Sequence, residues 1–239
     1  LVAQSQSFFR RLATTDSSAP KPLGGITYLG IEGVIGVGKT TLAKALAAET
    51  GARLILEEVE ENPFLERFYA DPRRHAFQTQ VFFLLSRYRQ QEVLRQGDLF
   101  ASSVISDYIF AKDRIFAYLN LDDQELGLYE RLASALEANI PTPEVVVYLQ
   151  AGTDVLMERV AKRGRPYEVQ LTREYLARLN ESYNHFFFHY RASRLLVVDA
   201  NHVDFIGRPR ELHALMDQIR ALGPGTSYYA PGPGRDGML

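Results

Sequence analysis

Gly33-Val34-Ile35-Gly36-Val37-Gly38-Lys39-Thr40 has the form GxxxxGK[ST], and it stands between the strand-like Leu29-Gly30-Ile31-Glu32 and the helical pattern Thr41-Leu42-Ala43-Lys44-Ala45-Leu46. The glycines let the backbone curl until its N–H groups face phosphate oxygens, and the N-terminus of the following helix adds positive potential at the same point. Lys39 supplies a point charge there, and the Thr40 hydroxyl is suited to Mg2+. At the usual glycine frequency a chance match somewhere in a chain of this length is on the order of one in a hundred, before strand-then-helix context is required. Gly33, Gly36, Gly38, Lys39, Thr40 and Thr41 are therefore the candidate contacts for ATP and its metal.

A strand feeding such a loop needs a parallel sheet, and the rest of the chain keeps that rhythm. Short β-rich runs at 26–31, 53–57, 104–106, 145–150 and 195–199 alternate with helical patterns near 39–50, 73–96, 122–139, 152–162, 172–191 and 208–221. Val145-Val146-Val147-Tyr148-Leu149 is apolar on both faces, as a strand covered by helices on both sides must be. The expected fold is α/β, a phosphate-loop (P-loop) fold with a parallel sheet of about five strands flanked by helices. There is no internal repeat.

Residues 26–222 make one ordinary domain. Residues 1–25 carry Arg10, Arg11 and Lys21 against Asp16 and end Pro20-Lys21-Pro22-Leu23-Gly24-Gly25, the composition of a flexible arm. Its basic, Ser- and Thr-bearing character also suits an organellar transit segment, although an untargeted arm is preferred. From Gly223 onward, Gly and Pro surround Tyr228 and Tyr229, which reads as a loose tail. The longest uninterrupted apolar runs, 81–85 among them, are five residues, far short of the roughly 20 that cross a bilayer. With no cysteine the chain has neither a disulfide framework nor a thiolate nucleophile, which fits a cytoplasmic address. A formal net charge of −2 gives no general attraction for polynucleotide.

Phosphoryl transfer also needs a carboxylate for the metal, a group at the nucleophile and mobile cations. Ligands of parallel α/β sheets sit beyond the carboxyl ends of the strands, which is where Glu57, at the end of 53–57, and Asp107, after 104–106, fall. Arg159, Lys162, Arg163 and Arg165 crowd a helix end before Pro166. Gln80 and Arg87 are seven apart, two helical turns, so both project from one face of the 73–96 helix. Taken singly, each has a plainer reading: a snorkelling arginine, a cationic helix end, a packed Tyr69.

Taken together, these motifs resemble the deoxynucleoside kinase family over roughly 26–222, above all its bacterial deoxyadenosine and deoxyguanosine kinases. The resemblance rests on 33–40, Glu57-Glu58-Val59-Glu60-Glu61-Asn62-Pro63-Phe64, Phe77-Gln78-Thr79-Gln80 through Ser86-Arg87, the segment 107–113, Arg163-Gly164-Arg165 through Glu168, and Asp199-Ala200-Asn201. It implies transfer of the ATP γ-phosphoryl group to the 5′-hydroxyl of a deoxynucleoside. Glu57 would be the base, and Asp107 would hold Mg2+ with Thr40. Tyr69 and Glu168 would hold the sugar 3′-hydroxyl, while Gln80, Arg87 and Asp113 would read the base. Arg159, Arg163 and Arg165 resemble a lid that closes on phosphates, Arg163 and Arg165 acting in catalysis with Lys39. Asp199, Ala200 and Asn201 resemble the loop against the ATP adenine. Relatives are commonly homodimers. The chain departs from the pattern at Tyr108, where many relatives carry the arginine of an Asp-Arg or Glu-Arg pair, and at Glu57-Glu58, where relatives have Glu-Pro.

Two alternatives stay open at the level of sequence. A nucleoside monophosphate kinase of the thymidylate kinase kind shares the loop, sheet and lid, but a carboxylate facing an acceptor phosphate would repel it. A protein that binds ATP without turnover would leave the base and sugar positions unexplained. His185 and His189, four apart, have no evident third ligand and read as packing residues. Asn180-Glu181-Ser182, a formal glycosylation acceptor, lies in a helical stretch and is discounted.

Overall fold

The computed structural model describes residues 23–95, 103–138 and 140–232. Along the chain run β1 (Tyr28–Gly33), α1 (Lys39–Thr50), β2 (Arg53–Ile55), α2 (Leu65–Ala70), α3 (Pro72–Arg95), β3 (Val104–Ser106), α4 (Lys112–Asn120) and α5 (Asp123–Glu137). They continue with β4 (Val145–Gln150), α6 (Thr153–Arg163), α7 (Arg173–His189), β5 (Arg194–Asp199), α8 (Pro209–Arg220) and β6 (Thr226–Tyr229). The strands form one sheet in the order β2-β3-β1-β4-β5-β6, with every neighbouring pair parallel.

The sheet has six strands rather than about five. The sixth comes from the Gly- and Pro-rich stretch after 223 that reads as a loose tail, where Thr226 pairs with Leu195 and Tyr229 with Val198. Thr and Tyr are good strand residues, but on a largely exposed edge they show no buried alternation, and the flanking Gly and Pro hide them. Of the expected N-terminal arm, 1–22 lies outside the described residues, as does 233–239 of the tail; Leu23 is packed into the core.

The middle of the sheet is the centre of the core. Val145, Val146 and Val147 of β4 are fully buried, each burial stabilising by roughly 1.5–3 kcal/mol. Against them α7 stacks Phe187 on Tyr148, ring centroids 4.2 Å apart. At Gly30, in the middle of β1, a Cβ would come 2.5 Å from Ile109 Cγ2 and 3.2 Å from Pro143 Cγ. Glycine there lets the segment after β3 cross close over β1, and that crossing carries residues 107–113 to the carboxyl end of the sheet. No helix among the described residues is long and apolar enough to span a membrane.

Candidate active site

The loop 33–38 leaves β1 and turns into α1 through glycines that only glycine conformations allow. Gly36 has φ +86°, and a Cβ on it would lie 2.8 Å from Val160 Cγ2 and 2.9 Å from Leu156 O, so the loop sits directly on α6. Lys39 curls back over the loop and donates to Gly33 O at 2.6 Å and Val34 O at 3.3 Å. Burial, reinforced by the neighbouring Lys112 ammonium, pushes the Lys39 amine down to about 8. An anion at the loop would reverse that shift, so the lysine is set up to gain from binding phosphate.

Thr40, Asp107 and Glu57 lie together. Thr40 Oγ1 donates to Asp107 Oδ2 at 2.5 Å, and Asp107 Oδ1 accepts the Glu57 backbone N–H at 2.8 Å, which ties the end of β2 to the first turn of α1. The Glu57 side chain lies between two cations. Arg87 donates to Oε1 through Nε, at 3.0 Å, and through Nη2; Lys112 Nζ donates to Oε2 at 2.6 Å. Burial alone would raise the Glu57 carboxyl, but the charges and hydrogen bonds of Arg87 and Lys112 outweigh it and hold the group below the usual carboxylate range.

These groups open onto a cavity of about 470 Å³ whose walls also include Gln80, Arg87, Phe83, Tyr69, Tyr167, Arg163, Arg165 and Glu168. Gln80 and Arg87 share the cavity-facing side of α3, and the Arg87 guanidinium lies 4.9 Å above the Phe83 ring. Asp113 stands behind Arg87, its Oδ1 against Arg87 Nη1 as a charge contact rather than a directed hydrogen bond. Gln80 Oε1 and Asp113 Oδ2 have no hydrogen-bond partner among the described residues, although both side chains are almost completely buried. An unpaired buried polar group costs about 1–3 kcal/mol, a cost that a polar ligand edge at Gln80 would remove.

On the opposite wall, Arg163 donates to Glu168 through Nη2 at 2.5 Å and Nε at 3.2 Å, while Tyr69 stacks on Tyr167 with centroids 6.3 Å apart. Arg165 lies 3.8 Å from Glu60 and over the Tyr167 ring. Arg159 is placed differently from its two neighbours. Its guanidinium donates to Val37 O, Ala200 O and Asn201 O at 2.8–3.3 Å, joining the phosphate loop to the segment after β5 instead of lining the cavity. That segment is itself ordered by Asp199, whose Oδ1 accepts from Asn201 N at 2.9 Å and Asn201 Nδ2 at 2.7 Å.

Two charged residues of the site escape the sequence reading. Glu32, fully buried at the end of β1, accepts Gly33 N at 3.0 Å and Ile109 N at 2.9 Å; burial raises its carboxyl, with Lys112 and Lys39 pulling the other way. An acidic residue closing an otherwise apolar strand was the available signal. Lys112 opens α4, a nine-residue helix whose first two residues, Lys112 and Asp113, are buried charges that blur its apolar period. Tyr108 turns into the core, where its hydroxyl lies 3.4 Å from Gln91 Nε2 and burial pushes the phenol up. It remains neutral and is not among the residues that line the cavity.

A phosphate cradle, a hydroxyl–carboxylate pair, an ionised carboxylate and an enclosed polar pocket within one cavity are the parts of a phosphoryl transferase acting on a small acceptor. Comparison with known proteins agrees with this chemistry. The deoxynucleoside kinase family model matches residues 29–222. Deoxyguanosine kinase of Bacillus subtilis (strain 168) is 33% identical over 204 residues, covering 82% of this chain and 97% of that protein. Deoxyadenosine/deoxycytidine kinase of the same organism is 30% identical over 203 residues, covering 82% and 93%. A solved structure of deoxyadenosine kinase from M. mycoides, with products dCMP and a flexible dCDP bound, superposes with a TM-score of 0.72 at 25% identity, covering 82% of this chain and 100% of that one. The chain belongs to the deoxynucleoside kinase family.

Proposed function

We propose that this kinase transfers the γ-phosphoryl group of ATP to the 5′-hydroxyl of a purine deoxynucleoside, deoxyguanosine or deoxyadenosine. The observation that carries the recognition of a base is the buried Gln80 amide, its oxygen unpaired, beside Arg87 on the cavity wall. A purine edge that offers both donors and acceptors completes that pair, as cytosine's does, so the preference for a purine over cytosine rests on the likeness to a deoxyguanosine kinase. Support also comes from the B. subtilis deoxyguanosine and deoxyadenosine/deoxycytidine kinases. Thymine presents one acceptor and one N–H as well, so its exclusion is steric, through the methyl group.

In this reading the 5′-oxygen bonds to the γ-phosphorus as the bond to the bridging oxygen breaks, and the electron pair leaves with the diphosphate. The hydroxyl proton passes to Glu57. Lys39 and the loop N–H groups hold the donor phosphates, Tyr69 and Glu168 the sugar 3′-hydroxyl, and Arg163 and Arg165 close on the phosphates once Glu168 and Glu60 release them. Thr40 and Asp107 offer oxygen donors of the kind Mg2+ takes alongside phosphate and water, and the ion would neutralise phosphate charge. A homodimer in the cytoplasm belongs to the same proposal.

The test is kcat/KM for all four deoxynucleosides with MgATP, on wild type and Gln80→Leu. The expected order is a purine first, deoxycytidine weaker and thymidine poorest, with Gln80→Leu lowering the favoured value roughly tenfold to a hundredfold. Thymidine as the best substrate, or a Gln80→Leu enzyme as fast as wild type, would overturn the base assignment.

A further inference from the structure

Lys112 occupies an unfavourable place for a lysine. Its side chain is only 3% exposed, and it sits in the first turn of α4, where the helix dipole repels a cation. Its ammonium has three N–H donors, yet among the described residues the one hydrogen bond it makes is to Glu57 Oε2 at 2.6 Å. It lines the cavity together with Lys39, Thr40 and Asp107, and it acts on the charge of both Lys39 and Glu32. The second cation on Glu57 is fixed in a way this one is not. Arg87 is shared between Glu57 and Asp113, so moving it would strand two buried carboxylates.

We infer that Lys112 is a catalytic cation, whose ammonium exchanges Glu57 Oε2 for an oxygen of the phosphoryl group in transit. At rest it is the counter-ion of the base; during transfer it is charge on the reacting phosphorus group. No proton passes through it: the hydroxyl proton still goes to Glu57 and the bonding electrons to the departing diphosphate. The exchange couples the two roles. The same ammonium releases Glu57 Oε2 as it reaches the phosphoryl oxygen, while Arg87 keeps its hydrogen bonds to Oε1. Tyr108, buried and neutral, offers no competing charge.

This inference rests on the proposed reaction, and its test separates the two. Single-turnover transfer and steady-state kcat and KM are compared for wild type, Lys112→Met and Lys112→Arg, with MgADP binding measured on each. Lys112→Met should lower kcat by about 10²–10³, the loss typical of removing one preorganised charge-stabilising donor, with KM for the deoxynucleoside and MgADP affinity changed less than about threefold. Lys112→Arg should bring back at least about a tenth of the rate, since it restores the charge. A Lys112→Met enzyme with near wild-type kcat overturns the inference. So does a loss of rate with no recovery in Lys112→Arg, and so does a Lys112→Met chain that no longer binds MgADP, because Lys112 would then be a residue of the fold. A wild type that phosphorylates no deoxynucleoside would instead defeat the proposed function itself.

Discussion

Glu57 divides its two oxygens between an arginine shared with Asp113 and a lysine held by Glu57 alone, which keeps it ionised and aimed while leaving it a modest base. Phosphoryl transfer through a loose transition state tolerates that, because positioning the hydroxyl matters more than early proton removal. Glu57→Gln should therefore lower kcat by roughly 10²–10⁴ with a smaller effect on deoxynucleoside KM, and Glu58→Gln, whose side chain is exposed, should stay close to wild type. Steady-state kinetics on the two variants decide it; the larger loss in Glu58→Gln would shift the base by one residue. Glu57, Gln80 and Arg87 were legible beforehand because strand-end position and a seven-residue helical spacing are local properties. Lys112 was not, because its importance comes from the crossing of residues 107–113 over Gly30, a tertiary event that leaves no periodic mark in the sequence.

At the scale of elements, the phosphate loop is held by what lies beneath it. Gly36 combines positive φ with direct contact on α6, so Gly36→Ala brings backbone strain and a collision with the Leu156 carbonyl oxygen together. The expected cost is about 1–3 kcal/mol, a fall in Tm of roughly 3–10 °C, and MgATP binding weakened by more than about tenfold. Thermal melting and ligand titration of the variant check this, and unchanged values for both would remove α6 as the support of the loop. The elements most legible in sequence were those with a strong period or full burial, such as β3, β4 and α1, whose bounds match the reading from sequence. Missing from that reading were α2, six residues long, α4, with its buried charges, and β6, exposed among glycines and prolines. In each the local pattern is too short or too mixed, and packing against a neighbour decides the outcome.

For the whole molecule, α3 and α5 pack on one another yet leave Leu85, Leu128 and Leu132 exposed, the last two one helical turn apart on α5. A second copy of the chain would cover this apolar strip, which is the surface the proposed homodimer would use. Leu128→Glu combined with Leu132→Glu should convert a dimer to monomers in sedimentation at micromolar concentration, and a monomeric wild type would refute that assembly. The ends of the sheet have a different consequence. One border is β2, three residues long, and the other is β6, four residues long and followed by Pro231. Borders this short leave few free N–H and C=O groups to recruit a strand from a neighbouring chain, and proline removes one more donor. Beneath β6 lies the six-residue β5, with Leu195, Leu196, Val197 and Val198 in its middle, a segment with the composition of an amyloid seed. The four residues of β6 therefore guard the protein's solubility: they cap a sticky template during the life of the folded chain, at the one edge where it would otherwise be open.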